Sequence, residues 1–516
     1  MVPTLLFARL VSTSVLDSNS LLFVLKMKKS LLICLPALVL TTSCVDSLTD
    51  YNVDPKAGAT ATGASLISAA ELGLTRTSVT PSVNVNPFRF YVQYWTETTY
   101  FDESIYDIST RQINRTFWRQ LYTSGGTSNP AFEPGVLNNL QQAKGLIGSS
   151  SLDADTKTNQ LACAEILSIY AWTVLVDTYG NVPYKQALDV NNPQPAYDDA
   201  AGIYTDLFAR LNAVIPTIKP AGGSLGRADL IYNGDMALWV KFANSLKLRM
   251  AIVTADADAA RAKTQAEQAA PNVFTSNEEQ ASLAFLSSPP NANPLWENLV
   301  QSGRHDYVGT SFFIDKLMAF NDPRLPKFFQ PVIAGPQAGT YTGGVYGDSN
   351  DYTKFSNPGA QQQDPTQPAQ LESYSEVQML LAEAVARGFS VGGTITSHYY
   401  AGITASILQW GGSAADATTY LAQPSVAYAT AAGTTYKTKI GNQAWIALYN
   451  QPIQAWTTWR RLDTPTLTAP AGALSAIPVR FPYPYDEINI NAANYAVAAS
   501  AIGGDKVTTK IFWDKF

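Results

Sequence analysis

The stretch YSEVQMLLAEAVARG, residues 374–388, decides how the rest of the chain is interpreted. Its apolar residues follow the i, i+3, i+4, i+7 spacing that places them on one face of a helix. They are Val377, Leu380, Leu381 and Ala384. Gly388 suits a helix C-terminus. Glu383 and Arg387 have the i, i+4 spacing of a helical ion pair, which we expect on the exposed side of the helix.

The same periodicity recurs elsewhere in the chain. It is found in AEILSIYAWTVLVDTYG (164–180), DMALWVKFANSLKLRM (235–250) and NQAWIALYNQPIQAWTTWRRL (442–462). The last stretch is predicted to be a helix pair, or one helix bent near Pro452, because proline breaks the helical hydrogen-bond pattern. Alternating strand patterns are scarce. The predicted fold class is therefore all-α, mostly helical with irregular loops.

Two long stretches interrupt the helical pattern. Residues 335–370 are rich in Gly, Pro, Gln and Asn, and they carry several tyrosines, including Tyr346. A loop of this length is usually functional or disordered, and the embedded tyrosines favour function. Residues 411–433 are rich in Ala, Thr and Ser and are predicted to be irregular. We expect residues 44–516 to form a single domain, with long loops near 270–370 and 411–433.

The beginning of the chain has the order of a bacterial lipoprotein signal. Within residues 27–43, the basic MKKS precedes an apolar run, and small polar residues then lead to Cys44. In such signals the cysteine is lipidated and becomes the first residue of the mature chain, so Cys44 is the predicted lipidation site. Residues 1–26 are interpreted as a start-site overrun before Met27. A genuine long leader starting at Met1 is the alternative.

Composition excludes several classes of function. The chain has 35 basic and 41 acidic residues without a dense basic cluster, which argues against nucleic acid as a partner. Cys34, Cys44 and Cys163 provide no disulfide framework. The two histidines, His305 and His398, are too few for a multi-histidine metal site or for most nucleophilic triads. We find no phosphate-binding, dinucleotide, metalloprotease or serine-hydrolase motif, and we predict no cofactor and no metal.

A pair of carboxylates is the remaining route to catalysis. Glycoside hydrolysis needs only two acidic residues across a cleft, and Glu97, Asp102 and Glu103 are candidates. A surface glycoside hydrolase on a helical scaffold is therefore the alternative function. The sequence gives no reason to prefer these residues over solvated surface acids. We predict that the protein is not an enzyme and has no catalytic residue.

Binding chemistry is better represented, because aromatic residues cluster in FRFYVQYWTETTYFDESIYD, residues 88–107. Aromatic faces stack on the apolar faces of sugar rings, and nearby polar groups bond to the hydroxyls. The helical spacing of Tyr91, Tyr94 and Trp95 also favours a place in the core. Six aromatic residues are predicted to contact a ligand, and they are Trp95, Tyr100, Tyr106, Trp296, Tyr307 and Tyr346.

Several motifs together resemble the SusD/RagB family of outer-membrane lipoproteins from Bacteroidetes, and most closely its SusD-like branch. In chain order they are DTYGNVPYKQAL (177–188), WVKFANSLKLRMA (239–251), NDPRLPKFF (321–329), the stretch at 374–388, WIALYNQPIQAWTTWRRLDTP (445–465) and IPVRFPYPYDEININ (477–491). The matches extend from about residue 45 to the C-terminus. Within them, Arg460 and Arg461, with Arg480 and Glu487, are predicted to form buried or half-buried ion pairs.

The resemblance implies a fold and a function. The fold is a scaffold of tetratricopeptide-like helix pairs with a loop-rich ligand-binding region packed on it. The implied protein is lipid-anchored at the outer membrane and exposed on the cell surface. It captures a nutrient oligomer, with a glycan favoured over a peptide, and delivers it to a SusC-like TonB-dependent transporter without making or breaking a bond.

Overall fold

The structure is a computed structural model, and it describes residues 61–123 and 135–516. The predicted start-site overrun (1–26), the predicted signal peptide (27–43) and Cys44 lie outside the described residues. Their assignment stays a prediction.

The described residues are mostly helical, which confirms the predicted fold class. The α-helices are α1 (Gly63–Val79), α2 (Phe88–Tyr91), α3 (Ile113–Tyr122), α4 (Val136–Gly148), α5 (Ala154–Tyr179), α6 (Ala200–Val214), α7 (Met236–Val253), α8 (Ala259–Ala269), α9 (Pro294–Trp296), α10 (Ser311–Ala319), α11 (Leu325–Phe328), α12 (Tyr374–Ala386), α13 (Ile395–Gln409), α14 (Ala414–Leu421), α15 (Tyr436–Ala447), α16 (Pro452–Leu462), α17 (Tyr485–Ile490) and α18 (Ala492–Ala501). Helices that follow one another along the chain pack together, including α4 with α5, α7 with α8, and α12 with α13.

Short strands form three antiparallel pairs among the described residues. The strands are β1 (Trp95–Glu97), β2 (Val182–Pro183), β3 (Tyr197–Asp198), β4 (Ala281–Leu283), β5 (Tyr307–Gly309) and β6 (Ala369–Glu372). β1 pairs with β5, β2 with β3, and β4 with β6. In the first pair, Trp95 lies opposite Gly309 and Glu97 lies opposite Tyr307. This pair joins two segments that are about 200 residues apart and that both contribute to the candidate site described below.

Helix α12 forms where the sequence predicts it. Ser373 caps its N-terminus by accepting a hydrogen bond from the Glu376 amide, and the predicted apolar face is buried. The expectation that Glu383 and Arg387 lie on an exposed side is wrong. Glu383 is buried, because α12 packs against α7, α13, α15 and the end of α16, and these neighbours leave no open face at that position.

Glu383 is the centre of a buried charge network. Arg387 Nε lies 2.9 Å from Glu383 Oε1, and its Nη1 lies 2.6 Å from Asp256 Oδ1. Arg461 contacts the second carboxylate oxygen of Glu383. The network therefore joins α12 to the end of α16 and to the turn after α7.

Helix α5 is the one described helix that is long and apolar enough to cross a membrane, but 89% of its apolar window is buried inside the protein. Asp153 caps its N-terminus by accepting a hydrogen bond from the Thr156 amide, and Gly180 ends it with φ +82°. Burial on all sides is the pattern of a central core helix, and α1, α4 and α6 pack around it.

The C-terminal segments confirm one prediction and correct another. The stretch around Pro452 is a helix pair, with Pro452 in the first turn of α16.

Arg480 forms the predicted kind of ion pair, with Asp505 at 2.6 Å. Arg460 has no carboxylate within 4.0 Å among the described residues. Its guanidinium lies 3.5 Å from the ring centre of Trp456 and donates to backbone carbonyl oxygens. Glu487 accepts a hydrogen bond from Tyr197 Oη at 2.8 Å, and no salt bridge joins it to an arginine among the described residues.

The two irregular stretches differ from each other. Residues 411–433 contain helix α14, so the prediction of an irregular excursion is wrong there. Ser413 and Asp416 form a capping box, and Tyr420 is buried against the scaffold. Residues 335–370 have little regular structure, as predicted. Asn350 holds them in place, because its side-chain amide donates to Glu97 O at 2.9 Å.

The buried network around Glu383 makes a testable prediction. Glu383→Ala removes the only carboxylate beside Arg461 in the described residues, so a buried guanidinium loses its counter-ion. We expect a loss of about 3–5 kcal/mol in the free energy of unfolding, measured by denaturant titration.

The matched control is Lys354→Ala, which breaks the exposed Lys354–Asp351 ion pair at 3.0 Å. We expect it to change stability by less than about 1 kcal/mol. Equal losses in the free energy of unfolding for the two variants would contradict a central role for the buried network.

Candidate ligand-binding site

Two adjacent clefts open beside the loop 81–85, with Ser82 lining one and Val83 the other. The first cleft has a volume of about 300 Å³ and is bounded by α1, α3 and the segment 294–301. The second is a narrow cavity of about 40 Å³ between the ends of β1 and β5. Together they form the candidate site.

Arg76 fixes the wall of the first cleft. Its Nη1 donates to Ala292 O at 2.8 Å, and its Nη2 lies 2.6 Å from Glu297 Oε2. These contacts hold α1 against the short helix α9 and the π-helical turn that follows it. The turn presents Asn298 and Gln301 to the same cleft. The first cleft is therefore lined mainly by hydrogen-bonding side chains.

These polar residues are not among those predicted from the sequence to contact a ligand. Arg76 lies in the last turn of α1 and Thr80 directly follows the helix, while Asn298 and Gln301 lie three residues apart. Such spacings are common on solvated helices, so no local signal distinguishes them. Only the packing of two segments more than 200 residues apart brings them to one cleft.

The second cleft combines an exposed aromatic ring with charged groups. Tyr100 follows β1 and is 62% exposed. Arg111, Arg304 and Asp306 line the same cavity, and Arg304 pairs with Asp306. An exposed ring beside hydrogen-bonding groups can stack on an apolar ligand face while the polar groups bind its rim.

The six predicted ligand-contacting residues fall into two groups. Trp95, Tyr106 and Tyr307 are buried, with Trp95 0% exposed. The Trp95 indole N–H donates to Tyr449 Oη at 2.7 Å, and its ring stacks on Tyr307 with centroids 5.5 Å apart. Tyr307 Oη donates to Pro81 O at 3.0 Å. Trp95 and Tyr106 therefore support the site from within the core and line neither cleft. Tyr307 is also buried, but it lines the second cleft, and its contact with a ligand stays a prediction.

The other three residues lie nearer the surface. Tyr100 is exposed in the second cleft. Trp296 is half-buried at the end of α9, next to Glu297 in the first cleft. Tyr346 is half-buried, and its hydroxyl is used in a bond to Phe90 O at 2.7 Å. Tyr100 is thus the predicted residue that is exposed at a cleft, whereas Trp296 is next to the first cleft in sequence without lining it. Contact of either residue with a ligand stays a prediction.

Two of the candidate carboxylates lie together at the second cleft. Glu97 is 2% exposed and Glu103 is 1% exposed. Burial is the main cause that raises the pKa of both carboxyl groups. Glu103 raises the pKa of Glu97 further, whereas the hydrogen bond with Glu97 and the charge of Arg111 lower the pKa of Glu103 in part. Ser104 donates two hydrogen bonds to Glu97, while Arg111 Nε lies 2.7 Å from Glu103 Oε1.

This arrangement differs from that of a glycoside hydrolase. Such enzymes present two carboxyl groups from opposite sides of the scissile bond. Here Glu97 lines the cleft, whereas Glu103 lies behind it and Asp102 pairs with Arg111 at 3.1 Å. The described residues contain no group of three or more His, Cys, Asp or Glu side chains able to hold a metal ion.

Comparison with known proteins identifies the family. A SusD-like family model, described as starch-binding and associating with the outer membrane, matches residues 55–484. The chain therefore belongs to the SusD-like family, and the resemblance inferred from the motifs is confirmed. No curated protein matches the chain.

Solved structures agree with this assignment. A chitin-binding protein is 28% identical, with 88% of this chain and 100% of that chain covered and a TM-score of 0.74. A chitin-binding SusD homologue from Flavobacterium johnsoniae is 23% identical, with coverage of 87% and 98% and a TM-score of 0.69. A SusD homologue from Bacteroides thetaiotaomicron is 23% identical, with coverage of 87% and 99% and a TM-score of 0.71.

The buried acid Glu97 predicts a pH-dependent stability. Because the folded state raises its pKa above the usual 4.5, the folded protein holds a proton that the unfolded chain releases. Stability is therefore lost as the pH rises above about 4.5 towards the raised pKa. Glu97→Gln mimics the protonated acid, so we expect its melting temperature to exceed that of the wild type, by a margin that grows with pH.

Asp107→Asn is the control, because we expect it to change the melting temperature in the opposite direction. Burial opposes ionisation of Asp107, but hydrogen bonds from Thr110 and Ser109 outweigh it and lower the pKa of its carboxyl. The ionised carboxylate of Asp107 therefore stabilises the folded protein at pH values above its usual pKa of 3.8. This stabilisation is lost as the pH falls through the lowered pKa. We expect Asp107→Asn to lower the melting temperature at neutral pH. A similar loss in Glu97→Gln would show that Glu97 is ionised in the folded protein.

Proposed function

We propose that the protein is a non-catalytic, surface-exposed lipoprotein that captures a glycan at the two clefts and delivers it to a SusC-like TonB-dependent transporter. The observation that carries the proposal is the exposed Tyr100 ring above a cavity lined by Arg111, Arg304 and Asp306. Aromatic stacking with flanking hydrogen bonds suits a sugar ring, which has apolar faces and a polar rim. Membership of a family described as starch-binding supports the same class of ligand.

Chitin oligosaccharides are the first glycans to test. The related protein with 28% identity is named chitin-binding, and the match covers its whole length. N-acetylglucosamine adds an amide and a methyl group to each ring. The amide side chains of Asn298 and Gln301 in the first cleft can pair with such acetamido groups. Starch oligosaccharides and oligopeptides are the comparison ligands.

Binding by Tyr100 and Trp296 is testable by substitution. We expect Tyr100→Ala and Trp296→Ala each to weaken chitin-oligosaccharide binding about tenfold or more, because stacked aromatic residues dominate such contacts. Isothermal titration measures the affinity. Tyr485→Ala is the control, because Tyr485 is also exposed but lines neither cleft. Unchanged affinity in both cleft variants would contradict this location for the site.

The alternative function is glycoside hydrolysis by a carboxylate pair. Incubation with chitin and starch oligosaccharides, followed by mass analysis of the products, separates it from binding. We expect recovery of intact oligosaccharides. Chain shortening that disappears in Glu97→Gln would instead establish hydrolysis and refute capture without catalysis.

Membrane attachment through lipid on Cys44 is the second part of the proposal, and it rests on the order of residues 27–44. We expect Cys44→Ala to move the folded protein from the membrane fraction to the soluble fraction after a high-salt wash. Ser43→Ala is the control, because it leaves the thiol in place. A Cys44→Ala protein that remains in the membrane fraction would refute the lipid anchor.

A further inference from the structure

A third cleft, separate from the candidate glycan site, lies on the helical scaffold between α6, α7 and α8. Its volume is about 520 Å³, within the range of ligand-binding clefts, which is about 300–1,000 Å³. None of its lining residues lines either of the two clefts beside loop 81–85. Five of them carry side-chain amides, and they are Asn212, Asn244, Gln265, Gln268 and Asn272. We refer to it as the amide cleft.

The amide cleft contains a buried cation without a counter-ion. Lys247 of α7 lines it and is only 6% exposed. Its ammonium donates to Gln268 Oε1 at 2.9 Å, and no carboxylate lies within 4.0 Å of it among the described residues. Lys241 on the same helix, by contrast, pairs with Glu279. Burying an unpaired ammonium is costly, and burial lowers the pKa of Lys247 accordingly.

The surrounding amides have unused hydrogen-bonding capacity. Asn212 donates to Gln265 Oε1 at 3.0 Å, and Asn244 donates to Val240 O at 2.8 Å. Within the described residues, the side-chain oxygens of Asn212 and Asn244 accept no hydrogen bond. A side-chain amide offers both a donor and an acceptor, as a peptide group does. The cleft can therefore pair with a polypeptide main chain.

The apolar part of the lining distinguishes the class of ligand. Ile215, Pro216 and Val240 provide aliphatic contacts, and no aromatic side chain lines the amide cleft. A sugar ring would lack the stacking surface that Tyr100 offers in the glycan site. Aliphatic contacts with paired amides suit small side chains on an extended chain.

We propose that the amide cleft binds an extended peptide segment, with a carboxylate held by Lys247 and the main chain held by the surrounding amides. The carboxylate supplies the missing counter-ion, and its charge-assisted hydrogen bond with the ammonium is stronger than the present bond to Gln268. This second site goes beyond glycan capture and gives the scaffold a role in binding a protein partner.

The experiment titrates the full chain with two acetylated tetra-alanine peptides, one with a free C-terminal carboxylate and one with a C-terminal amide, using isothermal titration. We expect the carboxylate peptide to bind about tenfold more tightly than the amide peptide, because only it pairs with the ammonium. We expect Lys247→Met, which keeps the aliphatic stem, to abolish this preference without lowering the melting temperature.

Lys316→Met is the matched control. Lys316 also lacks a carboxylate within 4.0 Å among the described residues, but it lies on α10, with its ammonium 5.2 Å from the Phe320 ring centre. We expect this variant to retain the preference for the carboxylate peptide. Chitin-oligosaccharide binding should be unchanged in Lys247→Met, which separates this test from that of the glycan site.

Three outcomes would overturn the proposal. They are equal binding or no binding of the two peptides, an unchanged preference in Lys247→Met, and Lys247-dependent binding of oligogalacturonate in preference to the peptide. The last would assign the amide cleft to an acidic sugar.

Discussion

The fold depends on guanidinium groups buried in a core that has no disulfide among the described residues. Arg249 Nε and Nη2 bind the two oxygens of Glu376 at 2.7 and 2.8 Å, which joins α7 to α12. Arg461 joins α16 to α12 through one oxygen of Glu383, and Arg480 joins the C-terminal segments at residues 480 and 505. Each guanidinium supplies several fixed donors, so one side chain can satisfy groups from segments far apart in sequence. The cost is that each buried charge requires its partner to be in place.

The binding surfaces use the same chemistry at the edge of the core. Arg76 ties α1 to the segment carrying Trp296, and Arg111 lies between Glu103 and the second cleft. These arginines hold the clefts in shape because their partners are already fixed by helix packing. Lys247 differs from them, since the partner of its ammonium is a neutral amide. Arg460 is also buried without a carboxylate among the described residues, but backbone carbonyls and two indole rings surround its guanidinium. Lys247, by contrast, lines an open cleft.

Burial explains where the sequence-based predictions of site residues succeeded and failed. Tyr91, Tyr94 and Trp95 have helical spacing and are core residues, as that spacing favours. Tyr100 lies among polar residues and is exposed. For Tyr307 the irregular sequence context suggested exposure, but it lies on β5, which pairs with β1 and buries its ring against Trp95. A pairing between strands about 200 residues apart leaves no local trace in the sequence.

The sequence by itself determined the helical class, the positions of α5, α7, α12, α15 and α16, the turn at Pro452 and the family. These follow from apolar periodicity, proline chemistry and short motifs, all of which act over a few residues. The tertiary structure alone decided that Glu383 is buried and that Arg460 lies between aromatic rings. It also decided that polar residues from α1 and the segment 294–301 share one cleft and that Lys247 lies unpaired in another. Exposure and ion pairing depend on which distant elements meet, and that depends on the packing of the whole chain.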